Sequence, residues 1–124
     1  MTAHWSSQQL ADLLRTNTFR IAPYREDGTT PGTLIWVWAV TVDDAIYVRS
    51  SNPASRWYAA ALREGAGIAA GDGWQGEVMM THLHDEAIQR RVDAEFARVY
   101  RNDPYMTEDL LERSRDRIIA IRPR

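Results

Sequence analysis

Residues 33–41 form a run in which both alternating sets of side chains are apolar. Neighbouring side chains of a strand point to opposite faces, so Trp36 and Trp38 share one face while Ile35 and Val37 share the other. A sheet with one face in water would alternate apolar with polar residues instead. We therefore expect this strand to belong to a closed barrel whose outside carries a helix or a partner subunit.

The rest of the chain alternates short strand patterns with helix patterns. Two aspartates between the runs 33–41 and 45–50 predict a tight hairpin, and the Gly-Asp-Gly sequence at 71–73 predicts a second. The predicted strands are 19–24, 33–41, 45–50, 66–70, 74–83 and 117–121, and the predicted helices begin near Ser6, Asn52, Asp85 and Thr107. This pattern predicts one α+β domain over residues 1–124, with six strands and about four helices.

The composition excludes several classes of chemistry. The chain has no cysteine, which excludes a thiolate metal site and a cysteine nucleophile. All fifteen basic residues are arginine, so a catalytic lysine is excluded as well. A net charge of −2 argues against nucleic acid as a partner, and no apolar run is long enough to span a membrane. We expect a cytoplasmic protein.

Residues 45–60 read as a strand that runs directly into a helix. The strand formers Ile46 and Val48 are followed by Asn52, a preferred N-cap residue, and by Pro53, which suits the first helical position. Gly65 then predicts the end of the helix. The start of such a helix presents unpaired N–H groups and the positive end of the helix dipole, so it favours an anion.

Two arginines and two serines surround this predicted helix start. Arg49 and Arg56 carry guanidinium forks, and Ser50 and Ser51 carry hydroxyl groups, all of which suit a phosphate. The alternative is that both arginines pair with surface carboxylates and the segment only caps a helix.

His82 and His84 are two residues apart near the end of a predicted strand, so their side chains project to the same side. Two histidines with a carboxylate can bind a divalent ion, but the third ligand has to come from elsewhere in the fold. We expect an exposed strand end there and no metal.

Several motifs together resemble an uncharacterised bacterial family, domain of unknown function twenty-two fifty-five. They are the runs 36–40 and 46–50, the Arg-Trp-Tyr and Ala-Ala-Ala-Leu sequences at 56–62, the Gly-x-Gly-Ile turn at 65–68, the helix 92–100 and the Arg-Pro-Arg end at 122–124. The resemblance covers nearly the whole chain. It implies an FMN-binding split barrel, a fold group that includes proteins like pyridoxamine-phosphate oxidase and the deazaflavin-dependent nitroreductases.

The resemblance also implies a cofactor site and a homodimer. In deazaflavin-dependent relatives a strand leads into a helix with a Trp-Tyr pair beside the cofactor phosphate. The cofactor-binding positions implied here are Arg49, Ser50, Ser51, Arg56 and Trp57. We expect four aromatic residues to line the ligand pocket beside them, namely Trp36, Trp38, Tyr47 and Tyr105. We therefore expect an oxidoreductase-like protein that binds FMN or a deazaflavin and acts on a small planar or hydrophobic molecule.

Two other functions stay open on the residues alone. Five tryptophans and five tyrosines exceed what a small core needs, so the chain could be a cofactor-free barrel that binds or rearranges a hydrophobic molecule of secondary metabolism, as a cyclase or isomerase does. It could also be a structural dimer whose aromatic surface is the subunit interface.

Overall fold

The structure is a computed structural model that describes residues 5–14, 18–71 and 73–124. Its helices are α1 (Ser7–Leu14), α2 (Arg56–Glu64), α3 (Glu86–Val99) and α4 (Glu108–Ser114), followed by a short 3₁₀ helix (Arg115–Arg117). Its strands are β1 (Arg20–Pro23), β2 (Ile35–Trp36), β3 (Ala39–Val42), β4 (Ala45–Arg49), β5 (Ala66–Gly71), β6 (Trp74–His82) and β7 (Ile118–Pro123). The α+β class is confirmed.

All described strands belong to one antiparallel sheet with the order β2-β1-β5-β6-β7-β4-β3. The two edge strands, β2 and β3, follow each other in the chain and are separated only by residues 37 and 38. Such a short connection requires the two edges of the sheet to approach each other, because each residue spans at most about 3.6 Å. The sheet is therefore curled into a barrel-like form.

The predicted count of six strands is wrong by one. The run 33–41 was predicted as a single strand, but Trp36 pairs with Arg20 of β1 whereas Ala39 pairs with Val48 of β4. The two intervening residues cross from one edge of the sheet to the other, and Val37 N donates to the Phe19 carbonyl on the way. Hydrophobic alternation continues through the crossing, so the pattern alone does not reveal the division.

The two-sided burial of this run is confirmed for residues 37–40, whereas Thr33 and Trp36 are exposed. Val37 and Ala39 belong to the cluster inside the curled sheet, which also contains Ile46 and Ile119. Val40 lies in a second cluster on the outer face. Tyr47, Val92 and Phe96 belong to that cluster, the last two from α3. Helix α3 is therefore the outer cover that the sequence pattern required.

Both predicted hairpins are present. At the turn between β3 and β4, Asp43 and Asp44 have φ angles of 51° and 62°, the left-handed pair that a two-residue turn of type I′ needs. Strands β5 and β6 pair from Gly71 and Trp74 onward, and Gly73 has a φ of 79°. Residue 72 lies outside the described residues.

Three helices begin where the sequence predicted them to begin. Ser6 and Gln9 form the capping box of α1, since the Ser6 N–H donates to Gln9 Oε1 at 2.9 Å and the Gln9 N–H donates to Ser6 Oγ at 3.1 Å. Asp85 and Thr107 accept in the same way from the first turns of α3 and α4. Trp5 joins α1 to the sheet, because its ring N–H donates to the Ile121 carbonyl at 2.7 Å.

The start of α2 differs from its prediction. The helix begins at Arg56 rather than Pro53, and its N-cap is Ser55, whose hydroxyl accepts from the Tyr58 N–H at 3.4 Å. Asn52 instead accepts from the Ala54 N–H in a local turn. Gly65 ends the helix as predicted, with a φ of 65° and its N–H on the Ala61 carbonyl.

Helix α3 is buried at its centre and exposed at its end. Val92 and Phe96 are fully buried, whereas Val99, the last residue of the helix, is 47 % exposed. Among the described helices none combines the length and the apolar character needed to cross a lipid bilayer.

Candidate functional site

Two grooves meet at Trp57, which lines both of them. The larger, which we call the arginine groove, has a volume of about 830 Å³. Its walls are the exposed face of α2 and the segment that follows β1, and its lining residues are Pro23, Tyr24, Arg25, Glu26, Gly32, Thr33, Ile35, Arg56, Trp57, Ala59, Ala60 and Arg63. Its size is that of a site for a small molecule or cofactor.

Three arginines and one glutamate give the arginine groove a positive balance. Arg56 and Arg63 lie two turns apart on α2, so they project from one face of the helix. Arg63 pairs with Glu64 at 2.6 Å, and Arg25 Nε donates to the Pro31 carbonyl at 3.5 Å. Arg56 has neither a hydrogen bond nor an ion pair within the described part of the chain. Its guanidinium is therefore available to an anion.

A compact loop forms the second wall of this groove. The Asp27 carboxylate accepts from the N–H groups of Thr29 and Thr30 and from the Thr30 hydroxyl. These hydrogen bonds, that of the Thr30 hydroxyl above all, lower the pKa of Asp27 to about 2. Arg25 N also donates to the Thr30 carbonyl at 2.8 Å, so the loop holds its shape by its own contacts.

The smaller groove, which we call the tryptophan groove, has a volume of about 400 Å³. It is lined by Trp36, Val37, Trp38, Arg49, Ser50, Ser51, Asn52, Ser55 and Trp57. The rings of Trp36 and Trp38 meet edge to face with their centroids 6.1 Å apart, and Trp36 is 48 % exposed. Six of the nine residues named from the sequence therefore lie along one groove.

Within that groove, the guanidinium of Arg49 has partners inside the protein. Its Nη1 lies 2.9 Å from Asp93 Oδ1, its Nε donates to Ser114 Oγ at 2.9 Å and its Nη2 donates to the Leu111 carbonyl at 2.9 Å. The guanidinium carbon lies 4.9 Å from the centre of the Phe96 ring. Burial lowers the pKa of Arg49 and the Asp93 carboxylate opposes this effect. A direct contact from Arg49 to a phosphate stays a prediction.

The two predicted serines differ in their availability. Ser50 is buried, its hydroxyl donates to the Asn52 carbonyl at 2.7 Å, and its own carbonyl accepts from Arg117 Nε at 3.0 Å. Ser51 is exposed, and its carbonyl accepts from Arg113 Nη1 at 3.2 Å. The loop that ends β4 is thus held by arginines from the far end of the chain, while the Ser51 hydroxyl faces no described partner.

The sequence profile of one family matches residues 9–121, which is most of the chain. The family is described as an uncharacterized protein conserved in bacteria, DUF2255. The chain belongs to this family. No functionally curated protein is significantly similar to it.

Three predicted site residues of this DUF2255 protein lie away from the tryptophan groove. Arg56 lines the arginine groove, on the other side of Trp57. Tyr47 is buried in the outer cluster beneath α3, and Tyr105 is 75 % exposed in the turn that precedes α4. Neither tyrosine lines the two grooves.

The contributions of Tyr24, Arg25 and Arg63 to the arginine groove of this DUF2255 protein were not predicted from the sequence. Helical spacing from Arg56 to Arg63 was an available signal, because residues seven apart on a helix share a face. No such signal existed for Arg25, which reaches the groove only because β1 pairs with β5 and its loop lies against α2.

Proposed function

We propose that this DUF2255 protein binds a planar, phosphate-bearing cofactor, FMN or a deazaflavin, and acts as an oxidoreductase-like protein on a small planar or hydrophobic molecule. The observation that carries the proposal is the position of Trp57. It lies between a groove with exposed tryptophan surface and a groove that holds the unpaired Arg56. One ligand with a flat ring and an acidic group could place its ring against the tryptophans of the first groove and its acidic group on Arg56 in the second.

The donor set of the grooves fits such a group. Arg56, supported by Arg25 and Arg63, offers guanidinium forks to a phosphate, and the Ser51 hydroxyl is available at the other end. The faces of Trp36 and Trp57 suit a planar ring. The cofactor would supply the hydride-transfer chemistry when bound, while the chain binds it, orients it and excludes water from its ring.

Arg49 has an indirect part in this proposal. By bonding to Asp93, Ser114 and Leu111 it holds the end of β4 in place. That strand end leads directly into the residues that line the tryptophan groove. We therefore propose that Arg49 positions the loop that follows β4. Arg56 is then the arginine that binds the anion.

A second function is favoured by a different observation. Much of the arginine groove is apolar, with Pro23, Ile35, Ala59 and Ala60 in its walls. In that case the protein would bind a hydrophobic molecule without a cofactor, as a binding protein or as a cyclase or isomerase of secondary metabolism. An acidic group on that molecule would still meet Arg56.

Titration of the purified protein with FMN, riboflavin and a deazaflavin tests the proposal, with native mass spectrometry of the freshly isolated protein as a first measurement. We expect FMN to bind more tightly than riboflavin, since only FMN carries the phosphate. Arg56→Ala should weaken FMN binding by about 1.5–3 kcal/mol, or about 10- to 150-fold, and Arg56→Lys should recover part of it.

Arg101→Ala is the matched control, because Arg101 is an exposed arginine that lines neither groove. Binding of planar apolar ligands with no preference for the phosphate would favour the cofactor-free function. Failure of all three flavin ligands to bind the wild-type protein would exclude the cofactor proposal.

We also propose that the curled sheet is a split barrel of the FMN-binding kind and that the protein is a homodimer. The short connection between the two edge strands supports the first, and exposed apolar side chains such as Trp36 and Leu62 support the second. Sedimentation equilibrium that gives one subunit mass across micromolar concentrations would contradict the dimer.

A further inference from the structure

A pair of histidines lies outside the two grooves, where β6 ends. His82 is the last residue of the strand and His84 follows two residues later. Their rings are 4.3 Å apart between centroids and are inclined at 66°. His84 is exposed and His82 is half-buried, so both can be reached from solvent.

The position of one hydrogen on His82 follows from its partner. His82 Nε2 lies within hydrogen-bond distance of the Asp116 backbone carbonyl. A carbonyl only accepts, so Nε2 carries the hydrogen and Nδ1 of the neutral ring carries the lone pair. A backbone carbonyl on one ring nitrogen is the usual partner of a histidine that binds metal through the other.

The lone pair of His82 Nδ1 faces His84 Nε2 at a distance of 3.1 Å. Two imidazole nitrogens bound to one tetrahedral zinc ion at about 2.0–2.1 Å lie about 3.3 Å from each other. The observed distance suits one shared hydrogen, whereas one shared metal ion requires the two nitrogens to separate by a few tenths of an ångström and the rings to turn until both lone pairs point at the ion.

No third ligand for a metal ion lies beside the pair in the part of the chain that the structure describes. The Tyr58 ring lies beside His82 with its centroid 6.4 Å away, and the Asp116 side chain is 82 % exposed. The Asp85 carboxylate is engaged as the cap of α3. Among the described residues no third histidine, cysteine or carboxylate completes a metal-binding group. A bound ion would thus keep open positions for water or for an oxygen of a small molecule.

We propose that His82 and His84 chelate a divalent transition-metal ion of borderline softness, such as Zn²⁺, through His82 Nδ1 and His84 Nε2. The site is independent of the proposed function, because neither histidine lines the grooves around Trp57. With two protein ligands, it should bind metal reversibly and more weakly than a structural zinc site.

Calorimetric titration with Zn²⁺ tests this site, with the untagged, chelator-treated full chain as the protein. All measurements use a His4→Gln background, which removes the third histidine, a residue outside the described part of the chain. We expect one equivalent of Zn²⁺ to bind. His82→Gln and His84→Gln should each weaken binding at least tenfold, with thermal melts that show an intact fold.

Titration with Co²⁺ adds a spectroscopic measurement. Its result would not change if the two histidines only stabilised the fold. A visible absorption band of bound Co²⁺ that disappears in His84→Gln supports the chelate, and ¹⁵N ring shifts should move on both histidines when Zn²⁺ is added. The proposal is overturned if Zn²⁺ binds to His82→Gln or to His84→Gln as tightly as to the protein that keeps both histidines, or if that protein binds no Zn²⁺ at millimolar concentration.

Discussion

Arg49 and Asp93 form a buried ion pair that joins strand β4 to helix α3, with Arg49 Nη1 2.9 Å from Asp93 Oδ1. The second oxygen of Asp93 accepts from Arg115 Nε at 2.5 Å. One carboxylate thus holds two arginines from distant parts of the chain. The pair holds the end of β4 against α3 and the 3₁₀ helix. It thereby also positions the residues at and just after the end of β4 that line the tryptophan groove.

Loss of Asp93 should destabilise the fold more than loss of Arg49. Asp93→Ala leaves the Arg49 charge buried without its partner and should reduce the free energy of unfolding by about 3–5 kcal/mol. In Arg49→Ala, Asp93 still pairs with Arg115, so a smaller loss is expected. Urea unfolding of both variants gives the measurement.

The control for this pair is Arg91→Ala, which removes the exposed pair with Asp43. It should cost under about 1 kcal/mol, because water screens exposed charges. Equal and small effects for all three substitutions would show that the buried pair does not hold the two elements together.

Gly67 should tolerate no side chain. A Cβ at this position would lie 2.7 Å from Pro23 Cα and would also meet the Ala22 carbonyl, both backbone atoms of the neighbouring strand β1. We expect Gly67→Ala to destabilise the protein by about 3 kcal/mol, the upper part of the usual range for overpacking, because backbone cannot move aside as a side chain can. Thermal or urea unfolding measures this.

The matched control is Gly73→Ala. Its Cβ would meet nothing within 4 Å, but its φ of 79° is unfavourable for alanine. The cost should be about 1–2 kcal/mol and purely conformational. A smaller loss at Gly67 than at Gly73 would mean that β1 and β5 are farther apart than described.

The loop beside the arginine groove should lose its internal contacts in acid. The pKa of Asp27 is about 2 in the folded protein and near 4 in an unfolded chain. A lowered folded-state pKa contributes stability that is fully present above pH 4 and is lost as the pH falls through about 2. We expect the amide signals of Thr29 and Thr30 to shift in NMR spectra over that range.

Asp27→Asn should remove this pH dependence, since an amide does not titrate. The amides of Thr29 and Thr30 would then show the same shifts at pH 5 and at pH 2.5. If the signals of these two amides still shifted with pH in the variant, the shift would come from a group other than Asp27.

Trp57 should report ligand binding most strongly among the tryptophans. It lines both grooves, whereas Trp74 lines neither and packs against the buried Trp5 at a centroid distance of 5.3 Å. Trp57→Phe should reduce the fluorescence change produced by a bound flavin, with Trp36 and Trp38 supplying the remainder, while Trp74→Phe should leave the change in place. The reverse result would locate the ligand outside the grooves.

Much of the fold could be predicted because its signals are local. The capping box of Ser6 and Gln9, the caps at Asp85 and Thr107 and the turn at Asp43 involve residues within four positions of each other. Local rules fail where two candidates compete. Asn52 and Ser55 are both good caps, and the structure uses Ser55, with Asn52 in a turn before it.

The site was predictable only in part. Four of the candidate positions named from the sequence line one groove, namely Trp36, Trp38, Ser51 and Trp57, and their role as a binding site stays a prediction. The environment of Arg49 could not be predicted. The residues next to an arginine near a helix start do not show whether its side chain faces solvent or a buried carboxylate.

By itself the sequence determined the helices α1, α3 and α4 with their starts, the two hairpins and the apolar character of both faces of residues 33–41, since each depends on spacing over a few residues. Only the tertiary structure decided that this run divides between the two edges of the sheet, that Arg49 turns toward Asp93 and that Arg25 meets Arg56 across a groove. These contacts join residues far apart in the chain. They exist because a curled sheet brings such residues together in space. No periodic pattern along the chain indicates which distant residues will meet.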